Sequence, residues 1–283
     1  MEIKDNFVFQ TDSDIVRKVY NENPNYLIEY SDNCERKDYC TIYFCSNDIY
    51  FPNTEEIFNK RIIGKNFYEW YNLRVSKSHK HIFVRDIYKQ WYLTGINAEI
   101  NNPEKLLDFL RNETAGYKVI TLGSSAGGYA AVLYGSLLQA DQVMIFNAQF
   151  EVSSLLSRST EKINPLLFRL KEEAVSKYFD IKKFINENID IFYFYSNKSK
   201  WDVEQYKHIK DLKINKISFS TAHHGIPFLK TCLSKVINSD KDTLLSLTFS
   251  TQRPYLFSVK TVGFWNVLSG LISQAYKAYA KRR

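Results

Sequence analysis

The sequence predicts an α/β fold with a mostly parallel central sheet and helices on both faces. Six short runs are almost continuously apolar, which is typical of strands buried on both faces of a parallel sheet. Stretches with helical periodicity lie between these runs, and such alternation of strand and helix favours an α/β architecture. The six runs are CTIYFCS (40–46), HIFVRD (81–86), KVITLG (118–123), QVMIFNA (142–148), IDIFYFYS (189–196) and NKISFS (215–220).

The intervening helices are indicated by capping residues and by periodicity. NPEKLLDFLRNE has Asn102 at the N-cap position and Pro103 at the first helical position. The stretches DIKKFINENI and DVEQYKHIKDL also have helical periodicity, and the long segment 150–180 is a candidate helical cap. Two runs near the N-terminus, NFVFQ and NYLIEY, are candidates for antiparallel edge strands.

The chain has no internal repeat and no low-complexity linker, so we expect a single domain over residues 1–283. The chain is 45% hydrophobic and 16% aromatic, which is enough for a sizeable core. No stretch reaches the roughly 18 consecutive apolar residues of a membrane span, and the charged N-terminus lacks the apolar region of a secretory signal. The four cysteines have neither disulfide-framework nor metal-site spacing. We therefore expect a cytoplasmic protein with free thiols and no metal.

The net charge of +7 is concentrated at the C-terminus, where the last seven residues contain four Lys or Arg. The rest of the chain lacks the basic, aromatic-rich face of nucleic-acid-binding proteins, so nucleic acid is not an expected partner. Residues 264–283 are predicted to form an amphipathic basic helix. This helix either packs on the core or makes peripheral contact with an anionic membrane at its inner face. Its apolar positions are Phe264, Leu268, Leu271, Ile272, Ala275 and Tyr279.

A cluster of small residues joins the run 118–123 to a predicted helix. Gly123, Ser124, Ser125, Ala126 and Gly127 match the pattern G-x-S-x-G, with a buried strand before it and a helix after it. This pattern is typical of a strained turn that presents a nucleophilic serine at the carboxyl edge of a sheet. A dinucleotide-binding loop would need glycine at the position of Ser125. A phosphate-binding P-loop would need Gly-Lys followed by Ser or Thr after its glycines, and this chain lacks that sequence. A tight turn without chemistry is the alternative interpretation.

A serine nucleophile needs a histidine that comes later in the chain, because the order in α/β-hydrolases is serine, acid, histidine. Only His208, His223 and His224 follow Ser125. His208 lies within a predicted helix and is expected at the surface. The other two follow the last predicted strand, and His224 is preferred because Gly225 permits a close approach. His223 remains the alternative base.

The acid of such a site is expected after the run 189–196. Asp202 is the candidate and Glu204 the alternative, although Asp202 also fits the N-cap of the next helix. A serine hydroxyl is too weakly acidic to attack unaided, so an imidazole must accept its proton. A carboxylate then orients the imidazole and stabilises its charged form.

Backbone N–H groups are expected to stabilise the oxyanion of the reaction. The N–H of Ala126 is one candidate, and the second is the N–H of Cys45 or Ser46, in the loop after the run 40–46. Each such donor typically contributes about 3 kcal/mol of transition-state stabilisation. Asp86 ends another predicted strand, and we expect it to fix its loop through a pair with Arg85.

Two stretches, HIFVRDIYKQWYLTGI and VITLGSSAGGYAAVLYGSLLQADQVMIFNAQ, carry a family resemblance that covers roughly residues 80 to 225. They resemble α/β-hydrolase-like proteins associated with bacterial surface polysaccharides, among them capsule polysaccharide O-acetyltransferases with a Ser-Asp-His triad. The resemblance assigns the nucleophile to Ser125, the acid to Asp202 and the base to His224. The chain departs from it at FNAQ, where a sequence closer to FSPQ is expected, and we interpret this segment as lying away from the triad.

The resemblance implies a serine-dependent acyltransferase of the α/β-hydrolase-like class. It implies acetyl-CoA as cosubstrate without a tightly bound cofactor, an acetyl-serine intermediate, and a hydroxyl of a bacterial capsule or surface polysaccharide as acceptor. An esterase or glycan deacetylase with the same three residues is one alternative. A non-catalytic scaffold in a polysaccharide biosynthesis or export complex is the other.

Overall fold

A seven-stranded sheet forms the centre of the computed structural model, which describes residues 7–34 and 36–280. The strand order is β1-β3-β2-β4-β5-β6-β7. β1 pairs antiparallel with β3, and the remaining neighbours are parallel. This mostly parallel sheet with helices confirms the predicted α/β-hydrolase-like class. The strands are β1 Tyr26–Tyr30, β2 Tyr39–Phe44, β3 Lys80–Val84, β4 Lys118–Ser124, β5 Gln142–Phe146, β6 Asp190–Ser196 and β7 Asn215–Phe219.

Helices and short helical turns connect the strands. The α-helices are α1 Phe9–Asp12, α2 Asp14–Glu22, α3 Glu55–Phe58, α4 Pro103–Thr114, α5 Ala126–Leu137, α6 Pro165–Arg169, α7 Lys200–His208, α8 Leu233–Ile237, α9 Lys241–Ser246, α10 Pro254–Val262 and α11 Phe264–Ala280. A π-helical turn spans Asn59–Ile63, and 3₁₀ turns span Ser153–Arg158, Ala174–Tyr178, Lys182–Phe184, Lys230–Cys232 and Leu247–Phe249.

Two hydrophobic cores lie on opposite faces of the sheet. Successive residues of β2 alternate between them: Ile42 and Phe44 belong to one core, while Tyr43 belongs to the other. All three side chains are completely buried. Because both faces of a parallel sheet are covered, apolar residues occupy nearly every strand position, and this explains the continuous apolar runs of the sequence.

The sequence predicted a helix correctly where a capping residue accompanied the helical periodicity. Helix α4 begins after Asn102, whose side-chain oxygen accepts a hydrogen bond from the N–H of Lys105 at 2.8 Å. The run NYLIEY forms the antiparallel edge strand β1, as expected. In the run NFVFQ, Asn6 lies outside the described residues, and Phe9 and Gln10 begin helix α1 instead of forming a strand. The stretch DIKKFINENI forms only the 3₁₀ turn Lys182–Phe184. In that stretch the N–H of Ile181 bonds the carbonyl of Phe150, which anchors the chain to the loop after β5.

The segment after β5 leaves the sheet and returns through an isolated bridge between Glu151 and Asp180. Between these residues lie α6 and two 3₁₀ turns, so the segment is less helical than we expected. Leu167 and Phe179 are buried in the adjacent core. The N–H of Leu167 also donates to the side-chain oxygen of Gln90 at 3.2 Å, which ties the segment to the loop after β3.

The two C-terminal helices, α10 and α11, are apolar and adjacent in the sequence. No single described helix is long and apolar enough to cross a bilayer. Pro254–Val262 and Phe264–Ser273 satisfy the length and hydropathy criteria only when taken together, and they are bent by 118° relative to one another.

Candidate active site

Ser125 occupies the sharp turn between β4 and α5. Its backbone has φ 54° and ψ −122°, a conformation that is strained for any residue except glycine. Its N–H donates to the carbonyl of Phe146 at 3.0 Å, so the neighbouring strand β5 holds the turn in place. The side chain is partly exposed at the carboxyl edge of the sheet.

The small residues around Ser125 allow three pieces of backbone to approach closely. A Cβ atom on Gly123 would lie 2.1 Å from the carbonyl oxygen of Gly127, and one on Gly127 would lie 2.3 Å from that of Phe44. A Cβ atom on Gly128 would lie 2.7 Å from the Cβ of Ala148. The glycines therefore allow the start of α5 to pack directly on β4, on the end of β2 and on the loop after β5.

Three side chains form a continuous hydrogen-bonded line that ends at Ser125. The Nε2 atom of His224 lies 2.9 Å from Oγ of Ser125, and its Nδ1 atom lies 2.8 Å from Oδ1 of Asp202. Asp202 is completely buried, and its Oδ2 atom has no hydrogen-bond partner among the described residues. With the proton on Nδ1, the imidazole donates to the carboxylate and presents Nε2 as an acceptor for the serine hydroxyl.

Asp202 lies in the first turn of α7, and Ser199 rather than Asp202 is the N-cap residue. The hydroxyl of Ser199 accepts a hydrogen bond from the N–H of Asp202 at 3.5 Å. A carboxylate at this position is stabilised by the positive end of the helix dipole. The preceding residue, Trp201, stacks on the imidazole of His224 with ring centroids 5.0 Å apart and an interplanar angle of 20°. Two consecutive residues of α7 therefore orient the same imidazole.

The other candidate groups lie elsewhere. His223 is exposed, and its carbonyl accepts hydrogen bonds from the side chains of Asn147, after β5, and Ser196, at the end of β6. His208, expected at the surface, is half-buried and bonds Asp180 at 3.0 Å. Glu204 is exposed on α7. Of these candidates, the structure places His224 next to Ser125 and Asp202 next to His224.

Asn147, in the FNAQ segment, fixes the loop that carries His224. Its Nδ2 group donates to the carbonyls of His223 at 3.2 Å and Gly225 at 2.8 Å, on either side of the imidazole-bearing residue. Its Oδ1 atom accepts from the N–H of Ser196 at 2.8 Å. Asn147 has a φ of 42°, a region in which asparagine is more common than most residues. One side chain thus joins the ends of β5 and β6 to the histidine loop.

Gln149, also in the FNAQ segment, contacts the serine itself. Its Oε1 atom accepts a hydrogen bond from the indole N–H of Trp91 at 3.2 Å, which leaves Nε2 as the donor. This Nε2 lies 3.3 Å from Oγ of Ser125 and 3.5 Å from Nε2 of His224. Our interpretation that this segment lies away from the site was therefore wrong. β4 and β5 are neighbours in the sheet, so the loop after β5 begins beside Ser125.

The two candidate oxyanion donors after β2 are engaged elsewhere. The N–H of Cys45 extends the sheet ladder by donating to the carbonyl of Val84 at 3.0 Å. The N–H of Ser46 donates to the carboxylate of Glu69 at 2.6 Å, a partly buried group that the sequence did not link to this loop. The N–H of Ala126 opens helix α5, where the first N–H groups have no acceptor within the helix. Among these three candidates, only the N–H of Ala126 has no acceptor among the described residues.

Asp86 organises the loop after β3, as we expected, but not through Arg85. Its carboxylate accepts from the N–H groups of Lys89 at 3.0 Å, Gln90 at 2.6 Å and Tyr92 at 3.0 Å. Burial raises the pKa of Asp86 to about 6 despite these bonds. The guanidinium of Arg85 instead donates to the side chain of Asn25, just before β1, and to the carbonyl of Phe67. The loop that Asp86 holds includes the tryptophan that bonds Gln149.

A cavity of about 330 Å³ lies beside this site, between the segment 151–180 and α7. Its wall includes Trp201, the residue that stacks on His224, and two cationic side chains. The cavity is large enough to receive part of a small-molecule substrate, and Trp201 separates it from the imidazole of His224, which is not part of its wall. It is lined by Ser154, Leu155, Arg158, Lys200, Trp201 and Glu204.

No family model matches this sequence, and comparison with curated proteins finds no significant match. Similar solved structures include the capsule O-acetyltransferase of Neisseria meningitidis serogroup A, with 14% identity over 69% of this chain and 83% of that chain and a TM-score of 0.47. A Staphylococcus aureus protein of unknown function has 12% identity over 79% and 94%, with a TM-score of 0.46. S-formylglutathione hydrolase from Staphylococcus aureus has 11% identity over 77% and 87%, with a TM-score of 0.43. The fold class rests on the sheet order described above.

Proposed function

We propose that this protein is a serine-dependent acyltransferase that carries the acyl group on Ser125. The observation that supports this most strongly is the hydrogen-bonded line from Asp202 through His224 to Ser125, with contacts of 2.8 and 2.9 Å. The strained turn that holds the serine adds to it, because such turns expose a nucleophile at the edge of a sheet.

In the proposed mechanism, His224 moves one proton in each half of the reaction. Its Nε2 takes the hydroxyl proton as Oγ of Ser125 attacks the carbonyl of a thioester donor. It then gives that proton to the thiolate that leaves as the carbon–sulfur bond breaks. The acyl group is now an ester of Ser125. Nε2 next takes a proton from the acceptor hydroxyl, whose oxygen attacks the ester, and returns it to Oγ as the ester bond breaks. Asp202 stabilises the imidazolium that forms in each half.

Two donors are proposed for the oxyanion. The N–H of Ala126 stands at the positive end of α5, which favours developing negative charge. We assign the second donor to Nε2 of Gln149 in place of Cys45 and Ser46, because it lies 3.3 Å from Oγ of Ser125. The bond from Trp91 fixes the orientation of this amide before any substrate binds.

For the donor and acceptor we propose acetyl-CoA and a hydroxyl of a bacterial capsule or surface polysaccharide. These assignments rest on the family resemblance of the sequence around Ser125. The cationic Arg158 and Lys200 in the cavity beside Trp201 are compatible with a donor that carries phosphate groups.

The decisive assay separates transfer from hydrolysis. The protein is incubated with acetyl-CoA, with and without candidate capsular oligosaccharides, and both CoA release and oligosaccharide mass are measured. We expect one added acetyl group per acceptor site and CoA release that depends on the oligosaccharide. Glycan-independent release of acetate would instead indicate an esterase with the same residues. Release that persists in Ser125→Ala would contradict both.

A further inference from the structure

The C-terminal region carries most of the large apolar side chains that the structure leaves exposed. Among the described residues, eight of the fourteen exposed large apolar side chains lie between positions 249 and 276, about a tenth of the chain. Isolated exposed apolar residues are common, but a cluster of this kind marks an interaction surface. The eight are Phe249, Tyr255, Leu256, Phe264, Trp265, Leu268, Ile272 and Tyr276.

Four of these side chains form one stripe along α11. Trp265, Leu268, Ile272 and Tyr276 recur every three or four residues, which places them on a single face of the helix, and they are 77%, 37%, 62% and 71% exposed. Val267, on the opposite face, is buried. Helix α11 therefore already packs on the protein through one face and presents a second apolar face outward. The predicted apolar side also included Leu271, which is half-buried; Ala275 and Tyr279 have side chains outside the described residues.

The charge of this region is uniformly positive. From Thr243 to Arg283 the sequence contains six Lys or Arg and no Asp or Glu. Lysine and arginine beside exposed tryptophan, tyrosine and phenylalanine are typical of helices that lie in the headgroup region of anionic membranes. The six are Arg253, Lys260, Lys277, Lys281, Arg282 and Arg283.

We propose that the exposed apolar face of α10 and α11 binds the surface of an anionic phospholipid bilayer. The aromatic and aliphatic side chains insert among the headgroups, and the exposed Arg253 and Lys260 contact the lipid phosphates. This face borders the loop that carries the histidines: a cleft of about 790 Å³ between them is lined by His223, Phe228, Thr231, Tyr255 and Gly270, among others. Membrane binding does not depend on the proposed acyl transfer, so either can fail without the other.

Sedimentation with phospholipid vesicles tests this proposal on the full chain. We expect binding to vesicles that contain phosphatidylglycerol to be at least tenfold tighter than to phosphatidylcholine alone, and to weaken with added salt. The double variant Trp265→Ser, Ile272→Ser should bind at least tenfold more weakly. Ile163→Ser, at a residue 57% exposed elsewhere, is the matched control and should bind normally.

A charge reversal and a solution measurement complete the test. Lys260→Glu should weaken binding to anionic vesicles, whereas Lys60→Glu, at an exposed position on the π-helical turn, should not. Circular dichroism and thermal unfolding verify that the variants fold. Binding that is absent, or equal in the wild type and the double variant, would overturn the proposal. A wild-type dimer that the double variant abolishes, without vesicle binding, would assign the stripe to a second copy and also overturn it.

Discussion

The side-chain amide of Gln149 lies 3.3 Å from the hydroxyl oxygen of Ser125, the same oxygen that His224 approaches at 2.9 Å. Trp91 holds this amide through a 3.2 Å hydrogen bond from its indole. Side chains from the loops after β5 and β7 therefore meet at one hydroxyl group. Each is oriented by a second contact: Gln149 by Trp91 from the loop after β3, and His224 by Asp202.

Replacing Gln149 tests whether its amide donates to the reacting centre. Gln149→Glu keeps the size of the side chain but replaces the donor with a carboxylate oxygen. We expect turnover to fall by about two orders of magnitude, which is the typical cost of removing one oxyanion donor. Gln149→Leu should lose a similar factor. Rates for both variants within twofold of the wild type would exclude the donor role.

Asn147→Asp removes the donations to the histidine loop and keeps the acceptor for Ser196. The new carboxylate faces the carbonyl of Gly225, which loses its donor, and that of His223, which keeps only the hydroxyl of Ser196. We expect the free energy of unfolding to fall by about 2 kcal/mol or more and turnover to fall with it, because His224 is no longer held. Urea denaturation and initial rates measure the two effects. An unchanged rate would show that other contacts position the loop.

Asp202→Asn preserves the shape of the side chain but removes the charge. The amide can donate to Nδ1 of His224, which favours the tautomer with the proton on the wrong nitrogen for accepting from serine. We expect turnover to fall about 10³- to 10⁴-fold. Asp242→Asn on α9, an exposed carboxylate outside the cavity beside Trp201, is the matched control and should retain the wild-type rate. A rate for Asp202→Asn within twofold of the wild type would contradict its assignment as the acid.

Gly127→Ala tests the close packing that positions the turn. A Cβ atom there would lie 2.3 Å from the carbonyl oxygen of Phe44, so backbone must move, and we expect a loss of about 1–3 kcal/mol in the free energy of unfolding. Gly116→Ala provides a comparison, since its φ of 82° is strained for alanine but nothing lies within 4 Å. Gly127→Ala should reduce turnover, whereas Gly116→Ala should affect stability alone. Equal turnover in the two variants would contradict this account.

The stability of the fold should depend on pH through His81. Burial, with Arg74 nearby, lowers the pKa of His81 to about 4. The unfolded chain therefore binds a proton before the folded protein does, and the free energy of unfolding should decrease as pH falls from about 6.5 toward 4. His81→Gln should flatten this dependence in urea denaturation at several pH values. If the free energy of unfolding had the same pH dependence in the wild type and in His81→Gln, the assignment to His81 would be contradicted.

The sequence predicted the sheet and the three central residues because both depend on local patterns. Doubly buried strands give continuous apolar runs, and the turn at Ser125 requires small residues whatever surrounds it. The order of serine, acid and histidine then left few candidates. Gly225 after His224 favoured the histidine that lies 2.9 Å from Ser125.

The supporting contacts could not be predicted in the same way, because they depend on which strands are neighbours. Gln149 is near Ser125 since β5 lies beside β4, an order that no local pattern reveals. The N–H of Ser46 is engaged by Glu69, which is 23 residues away in the sequence. Contact with the body of the protein determines which face of α11 points outward. The hydropathy of the sequence alone could not distinguish the packed face of this helix from its exposed apolar face.

The central claim is that Ser125 is a nucleophile that His224 deprotonates. Its most direct test is the rate of covalent modification by a fluorophosphonate, followed by intact mass and peptide mapping. We predict a single phosphonyl group on Ser125, at least 100-fold slower labelling of His224→Ala, and a wild-type rate for His223→Ala. Labelling of Ser125→Ala at the wild-type rate, or of His224→Ala as fast as the wild type, would contradict the account.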